Sequence, residues 1–251
     1  MLATVVAGCD GSHSSSPPAG STTQTAPTET SPTTTASPTT IALRIYLLRD
    51  GKVAPVTRNV VETRAVAGAA LMALLEGPTA EERAAGLTTS LPANLKLGVP
   101  TREDRETLDL GATPNLSPTE AAQIVYTLTQ FPSVRRVRLG SLVFTRRAFE
   151  EQTPAILVES PLPGETVSSP VRVQGTANTF EATFQLELVD ASGKKVAGHF
   201  VTATSGSGER GTFDTTLTAP SAHGRATLVA YELSAANGQR INEVRIPLVF
   251  R

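Results

Sequence analysis

The sequence predicts an α+β domain, a small sheet with two main helices, followed by an all-β immunoglobulin-like sandwich. Three observations carry this. Between residues 41 and 149, apolar residues recur first at period two, then at helical spacing, then at period two again. From residue 155 to 251 the helical spacing is gone, and short alternating runs are punctuated by Gly, Pro and Asn. The first forty residues hold a lone cysteine, Cys9, and then a stretch of Ser, Thr and Pro without a large apolar side chain.

The elements of the first domain follow from local chemistry. Ile41, Leu43, Ile45 and Leu47 share one face of a strand, with Arg44 and Tyr46 opposite. Asp50-Gly51 is a hairpin signal, and Pro55 puts the return strand, Val53 to Val60, at an edge. A helix from Thr63 or Ala65 to Glu76 buries Val66, Ala69, Ala70, Ala73 and Leu74. Gly77 supplies its left-handed C-cap and Pro78 bars continuation. Thr79 and Glu82 then form the capping box of a short second helix that closes at Gly86. On this reading Gly77 is the most sensitive residue of the domain. Strands are expected at Leu95 to Val99 and Glu106 to Leu110, joined by a turn through Arg102 to Arg105. Ser117 as N-cap, Pro118 at the first helical position and Glu120 closing a capping box start the second main helix, which ends at Phe131-Pro132. Val134 to Leu139 is a last strand, with Val137 and Leu139 alternating against Arg136 and Arg138. Both helices are expected on one face of the sheet.

Glu150 to Ala155 reads as a short polar link. Beyond it, Val171 to Val173, Phe180 to Leu188, Val196 to Thr204, Phe213 to Leu217, Ala226 to Leu233 and Ile241 to Phe250 read as sandwich strands. Phe180, Ala182, Phe184, Leu186 and Leu188 are expected inward. Asp190 to Gly193 and Asn237-Gly238 are turns. The cysteine pair and core Trp of antibody domains are absent.

Composition bounds function. The formal charge of the 251-residue chain is −1, so no overall field attracts nucleic acid. One cysteine permits no intrachain disulfide. Val6-Ala7-Gly8-Cys9 has the form of a bacterial lipobox, which makes residues 1–9 the end of a truncated signal peptide and Cys9 the lipidation site. Residues 10–40 are expected to be a disordered tether, because they bury too little surface to offset ordering entropy. A lipid on Cys9 and a polar tether describe an extracytoplasmic protein anchored to the membrane of a bacterium.

Chemistry is sparse. His13, His199 and His223 lie far apart, no metal spacing is visible, and no cofactor is implied. Ser192 and Lys195 match a bare Ser-x-x-Lys pattern without its partner motifs, at an expected turn. Glu81 and Glu82 sit where a helix dipole favours acids. The sharper candidate is a basic interaction patch of Arg135, Arg136, Arg138, Arg146 and Arg147, suited to anionic lipid, wall polymer or a partner protein. Against it, alternating Arg on a strand is the usual solvated face of a sheet.

Tyr46-Leu47, Pro55-Val56, Arg58, the run Leu74-Leu75-Glu76-Gly77-Pro78-Thr79 with Glu81-Glu82, and Gln123-Ile124-Val125-Tyr126-Thr127-Leu128-Thr129 resemble the GerMN domain of spore-germination and sporulation lipoproteins. The resemblance covers about Ile41 to Arg147. Ser160-Pro161, Pro163-Gly164, Ser169-Pro170-Val171, Gly175, Ala177, Thr179-Phe180-Glu181, Gly211, Phe213, Glu232 and the closing Pro247-Leu248-Val249-Phe250 resemble the Gmad2 family, a bacterial immunoglobulin-like domain, from about Ile156 to Arg251. Together they imply a non-enzymatic envelope scaffold, with envelope proteins or further copies of itself as partners. Alternatives are an accessory to a sensor kinase and a solute- or polysaccharide-binding lipoprotein. For sugar stacking the chain offers no Trp and only Tyr46, Tyr126 and Tyr231 as tyrosines.

Overall fold

The computed structural model describes residues 38–251. Cys9 and the expected tether up to residue 37 lie outside them. The chain opens with a ribbon, β1 (Thr40–Arg49) and β2 (Lys52–Val61), in unbroken antiparallel register. Its tight turn needs left-handed backbone at both residues, and Asp50 and Gly51 have φ of 51° and 76°. Two helices follow, α1 (Val66–Leu75) and α2 (Ala80–Ala84). Between them Gly77 takes φ 73° and donates to Leu74 O, and the Thr79–Glu82 capping box is closed in both directions. Next come β3 (Thr101–Arg102), β4 (Thr107–Asp109), α3 (Pro118–Leu128), β5 (Arg136–Leu139) and β6 (Leu142–Phe144). Ser117, Pro118 and Glu120 start α3 as their chemistry dictates.

The first domain thus holds two sheets where one was expected: the ribbon, and a four-stranded sheet in the order β3-β4-β5-β6 with β4 and β5 parallel. A parallel pair needs a crossover, and α3 supplies it. The Leu95–Val99 strand does not form. Pro100 removes a ladder donor, pairing starts only at Thr101, and Leu95 and Leu97 still pack against the core. Gly98 there lies against the backbone: a Cβ on it would meet Leu110 O at 2.3 Å.

That contact changes the ranking of glycines. A Cβ on Gly77 would meet nothing closer than Thr89 Cγ2 at 3.6 Å, so a side chain there bears only the left-handed φ, about 1–2 kcal/mol. Gly98→Ala must move backbone and is expected to lose more than Gly77→Ala, about 2 kcal/mol or above. Urea melts of the two variants in parallel check this, and a larger loss for Gly77→Ala would contradict it.

A short 3₁₀ helix, Arg146–Gln152, runs where the polar link was expected. Its Phe149 is buried in the first core, and Thr153 just after it is buried too. The second domain contains β7 (Ile156–Ser160), β8 (Thr166–Val167), β9 (Val171–Ala177), β10 (Thr183–Asp190), β11 (Lys195–Thr202), β12 (Gly211–Leu217), β13 (Gly224–Leu233) and β14 (Arg240–Phe250). They form sheets ordered β11-β10-β13-β14-β8 and β12-β9-β7, whose inward residues make one core that includes Phe184 and Phe213 in edge contact. The alternation expected from Phe180 begins only at Thr183. Glu181 and Ala182 take φ of 53° and 58° in a tight corner, which turns Phe180 out to solvent at 59% exposure.

Candidate functional site

The site is built outward from β1, whose inner edge is closed by side chains rather than by a strand. The amide of Gln130, just past α3, accepts from Arg44 N at 2.9 Å and donates back to Arg44 O. At Tyr46, the hydroxyl of Thr127 accepts from the N–H and the Gln123 amide donates to the carbonyl at 3.0 Å. At Leu48, Thr88 exchanges two backbone bonds of 2.8 Å. Buried backbone groups must be paired, and side chains within and just past α3, together with Thr88, do that work here. Gln123 and Thr127 are fully buried for this reason. The Gln-to-Thr run on α3 is therefore read by the strand beside it.

Tyr46, expected on the face away from the core, is fully buried as well, because Tyr126 of α3 and Arg146 lie against its ring and the second domain meets its hydroxyl. Its hydroxyl donates to Glu159, on β7. Glu159 also accepts from Arg146 at 2.7 Å and lies 3.6 Å from the Arg44 guanidinium. Arg146 completes the cluster: it donates to Thr129 Oγ1 at 2.7 Å and Tyr126 O at 3.2 Å, and its guanidinium stacks on the Tyr126 and Tyr46 rings at 4.6 and 5.3 Å. Burial pushes the Glu159 carboxyl up, but the Arg146 charge, the Tyr46 hydroxyl and the Arg146 hydrogen bond outweigh it and hold the group below the usual carboxylate range. Burial, with the Glu159 charge, raises Tyr46, so the phenol stays protonated and donating.

A second clasp flanks this cluster. Arg210 binds Glu150 through two bonds of 2.8 Å and reaches Pro154 O at 2.8 Å. Tyr126 meets the Thr153 hydroxyl at 2.7 Å, and Leu157 of the second domain packs in the first domain's core. The segment between the domains is a fastened joint.

Beside the joint lies a groove of about 500 Å³. Val53 to Val56 of β2 form one wall, Val244 to Ile246 of β14 the other, and Ile156 to Val158 of β7 the floor. Arg49 and Lys52 stand at its mouth.

The five candidate arginines do not gather into one unpaired basic surface. Arg135 and Arg136 meet Glu106 and Asp104 at 3.2 and 3.5 Å, Arg138 meets Glu103 at 2.6 Å, and Arg147 meets Glu209 at 3.2 Å. Arg146 points inward to the joint. Periodicity could place these residues on a strand, but the acids opposite them come from another turn.

The corner at Gly77 is tied to the ribbon by Arg58, whose guanidinium takes both Glu82 oxygens and donates to Gly77 O at 3.1 Å. Glu82 thereby serves both as cap and as ion-pair partner. Burial would raise its carboxyl, yet the Arg58 bonds and the Thr79 N–H hold it low. His199 bonds Thr215 and His223 bonds Ser221 O, well apart. Lys195 is paired with Glu187 at 2.9 Å, while Ser192 bonds Asp190 within its turn. Among the described residues, no three His, Cys, Asp or Glu side chains gather to hold a metal, and no helix is long and apolar enough to cross a membrane. Glu159 went unnoticed in the sequence because one acid closing an apolar run looks like the solvent end of a strand.

Comparison with known proteins agrees with this division of the chain. Residues 44–141 match the Germane family, described as sporulation and spore germination, and residues 155–239 match Gmad2, described as an immunoglobulin-like domain of bacterial spore germination. No curated protein matches the chain. The tandem GerMN domains of the sporulation protein GerM from Bacillus subtilis, a solved structure, are similar at 27% identity over 40% of this chain and 38% of that one, with a TM-score of 0.34. Neither matched family is a known enzyme family, and both fit a role in sporulation or germination. The chain therefore carries, in series, a Germane domain of sporulation and spore germination and a Gmad2 immunoglobulin-like domain.

Proposed function

We propose that this protein is a non-enzymatic scaffold of the bacterial cell envelope, lipid-anchored at Cys9 outside the membrane, that binds other proteins in sporulation or germination. The observation that carries the reading is the joint. Two modules whose matched families are linked to spore germination are fastened by the Tyr46–Glu159–Arg146 cluster and the Glu150–Arg210 pair. A fixed pair of domains presents its surfaces at set angles, as a scaffold needs, and the cost of ordering them is met before a partner arrives. The alternative of sugar binding finds little support, since Tyr46, Tyr126 and Tyr231 are all buried and offer no stacking platform.

The test is chemical crosslinking in native membranes followed by affinity recovery of the protein. The expected result is one or more specific protein partners, a second copy or a membrane-bound sensor kinase among them, together with loss of membrane fractionation in Cys9→Ser. Recovery of a soluble glycan with no protein partner would overturn the scaffold reading. Retention of Cys9→Ser in the membrane would overturn the anchor.

A further inference from the structure

β11 is a free edge of the five-stranded sheet, and its bonding pattern is fixed at its C-terminal end. Ala203 N donates inward to Ala182 O at 2.8 Å, while Thr204 N donates outward to Thr212 O at 2.9 Å. Backbone direction alternates along an antiparallel strand. Val201 and His199 therefore bond β10, and Thr202, Phe200 and Gly198 turn their N–H and C=O groups away from it. All three are exposed, Phe200 at 67%, and among the described residues no group bonds their outward backbone. Natural edges are ordinarily guarded by charge, Pro or a bulge. Val196 to Thr204 holds no Pro, Lys, Arg, Asp or Glu. The register shift against β10 lies nearer the turn, between Leu188 and Val189, and Lys195 is drawn back over Gly198 to Glu187 at 2.9 Å.

We infer that this edge binds a second copy of the chain, β11 against β11 in antiparallel register, with a two-fold axis at Phe200. A two-fold interface requires that residue i meet j while j meets i. The outward set satisfies this: Phe200 meets the partner's Phe200, and Gly198 meets the partner's Thr202. Every outward N–H and C=O of the three residues then finds its counterpart. On the outer face the two Phe200 rings lie side by side, each beside the methylene stem that Lys195 lays over the partner's Gly198. Charge selects the same occupant, because the pairing sets the β10–β11 turn of one copy beside the Glu181 corner of the other. Around these ends Lys195 pairs with Glu187, Arg147 with Glu209 and Arg210 with Glu150. Asp190 is bonded by the Ser192 hydroxyl and the Lys194 N–H of its own turn, and His199 faces inward to Thr215. Among the described residues Lys194 and Glu181 form no ion pair, and the two-fold axis brings Lys194 of each copy toward the partner's Glu181. To a foreign strand Val196 to Thr204 offers no charge to read.

The inference deepens the reading of the chain as a protein-interaction module, on which it rests, and the two fail separately. The probe is the full chain itself, kept reduced so that Cys9 does not pair, followed by sedimentation equilibrium. A monomer–dimer equilibrium in the micromolar range is expected, weakened at least about tenfold in Phe200→Glu, which sets like charges directly opposite each other. At 67% exposure Phe200 contributes little to its own fold, so this variant is expected to fold as wild type does. A second readout needs no variant. Raising the concentration from about 1 μM to about 100 μM is expected to slow hydrogen exchange at the Gly198, Phe200 and Thr202 amides, while those of His199 and Val201, already bonded to β10, do not change. A chain that is monomeric up to about 0.3 mM overturns the inference. So does a dimer with unchanged exchange at those three amides, or one undiminished in Phe200→Glu. A monomeric chain whose native crosslinks to a different protein vanish in Phe200→Glu also overturns it, gives the edge to that protein and leaves the scaffold reading standing. Recovery of a soluble glycan and no protein from native membranes, with the dimer intact in solution, overturns the scaffold reading alone.

Discussion

Replacing Glu159 by alanine is expected to destabilise the protein by about 3 kcal/mol, near the low end of the cost of breaking a buried ion pair. The side chain is 15% exposed and receives hydrogen bonds from Tyr46 and Arg146, with Arg44 close by. Alanine leaves two guanidinium groups and a phenol facing a space that no longer holds an acceptor. The low end is appropriate because Arg146 keeps its bonds to Thr129 and Tyr126 and its stacking on two rings. For a protein of this size the loss corresponds to roughly 6–12 °C in Tm. Adding Arg146→Met should recover part of it, since an apolar replacement of the whole pair removes the stranded charge.

The same residue gives a pH dependence whose sign is fixed. Its carboxyl is held below the ordinary range when folded, so the stabilisation is complete above the unfolded value of about 4.3 and is lost as pH falls through the folded value. The Tm gap between wild type and Glu159→Ala should be widest at neutral pH and narrow below about pH 4. A gap that stayed constant down to acid unfolding, or one under about 1 °C at neutral pH, would show that the cluster does not hold the domains together.

Gln123→Leu is expected to cost about 2–4 kcal/mol despite conserving volume. The amide, itself fully buried, donates to the buried Tyr46 O and accepts from the partly buried Ser90 N at 2.9 Å and Ser90 Oγ at 3.0 Å. Leucine fills the space and leaves a buried carbonyl and a partly buried N–H without partners, each worth roughly 1–3 kcal/mol. Denaturant unfolding measures the loss, and the Ser90 amide should exchange faster than in wild type. A loss under about 1 kcal/mol would mean that the inner edge of β1 is satisfied by other means.

These two residues divide differently between sequence and structure. Gln123 lies in a run by which the first domain's family resemblance is recognised, yet nothing in helical periodicity says what a buried Gln is for. Its role appears only when β1, remote in sequence, is laid alongside α3. Glu159 carries no local signal at all, because an acid at the end of an apolar run is ordinary at a strand's solvent end. The basic residues show the converse. Alternation correctly put Val137 inward and Arg136 and Arg138 outward, but the acids at 103, 104 and 106 that neutralise them come from a different turn.

Local rules determined a great deal by themselves. Both capping boxes, the Asp50-Gly51 hairpin, the glycine corner at residue 77, the change from mixed to all-β structure and the domain families follow from neighbours within a few residues. At that range the backbone has few alternatives. Other expectations failed where a distant contact outweighed the local pattern. Leu95 to Val99 has apolar residues but no strand to pair with, Phe180 is turned outward by a corner, and the expected polar link, Glu150 to Ala155, is fastened by the Glu150–Arg210 pair and the buried Thr153. The joint belongs to the same class. It depends on side chains that distant segments bring together, Tyr46 and Arg146 with Glu159 and Glu150 with Arg210, and that is settled by tertiary packing alone.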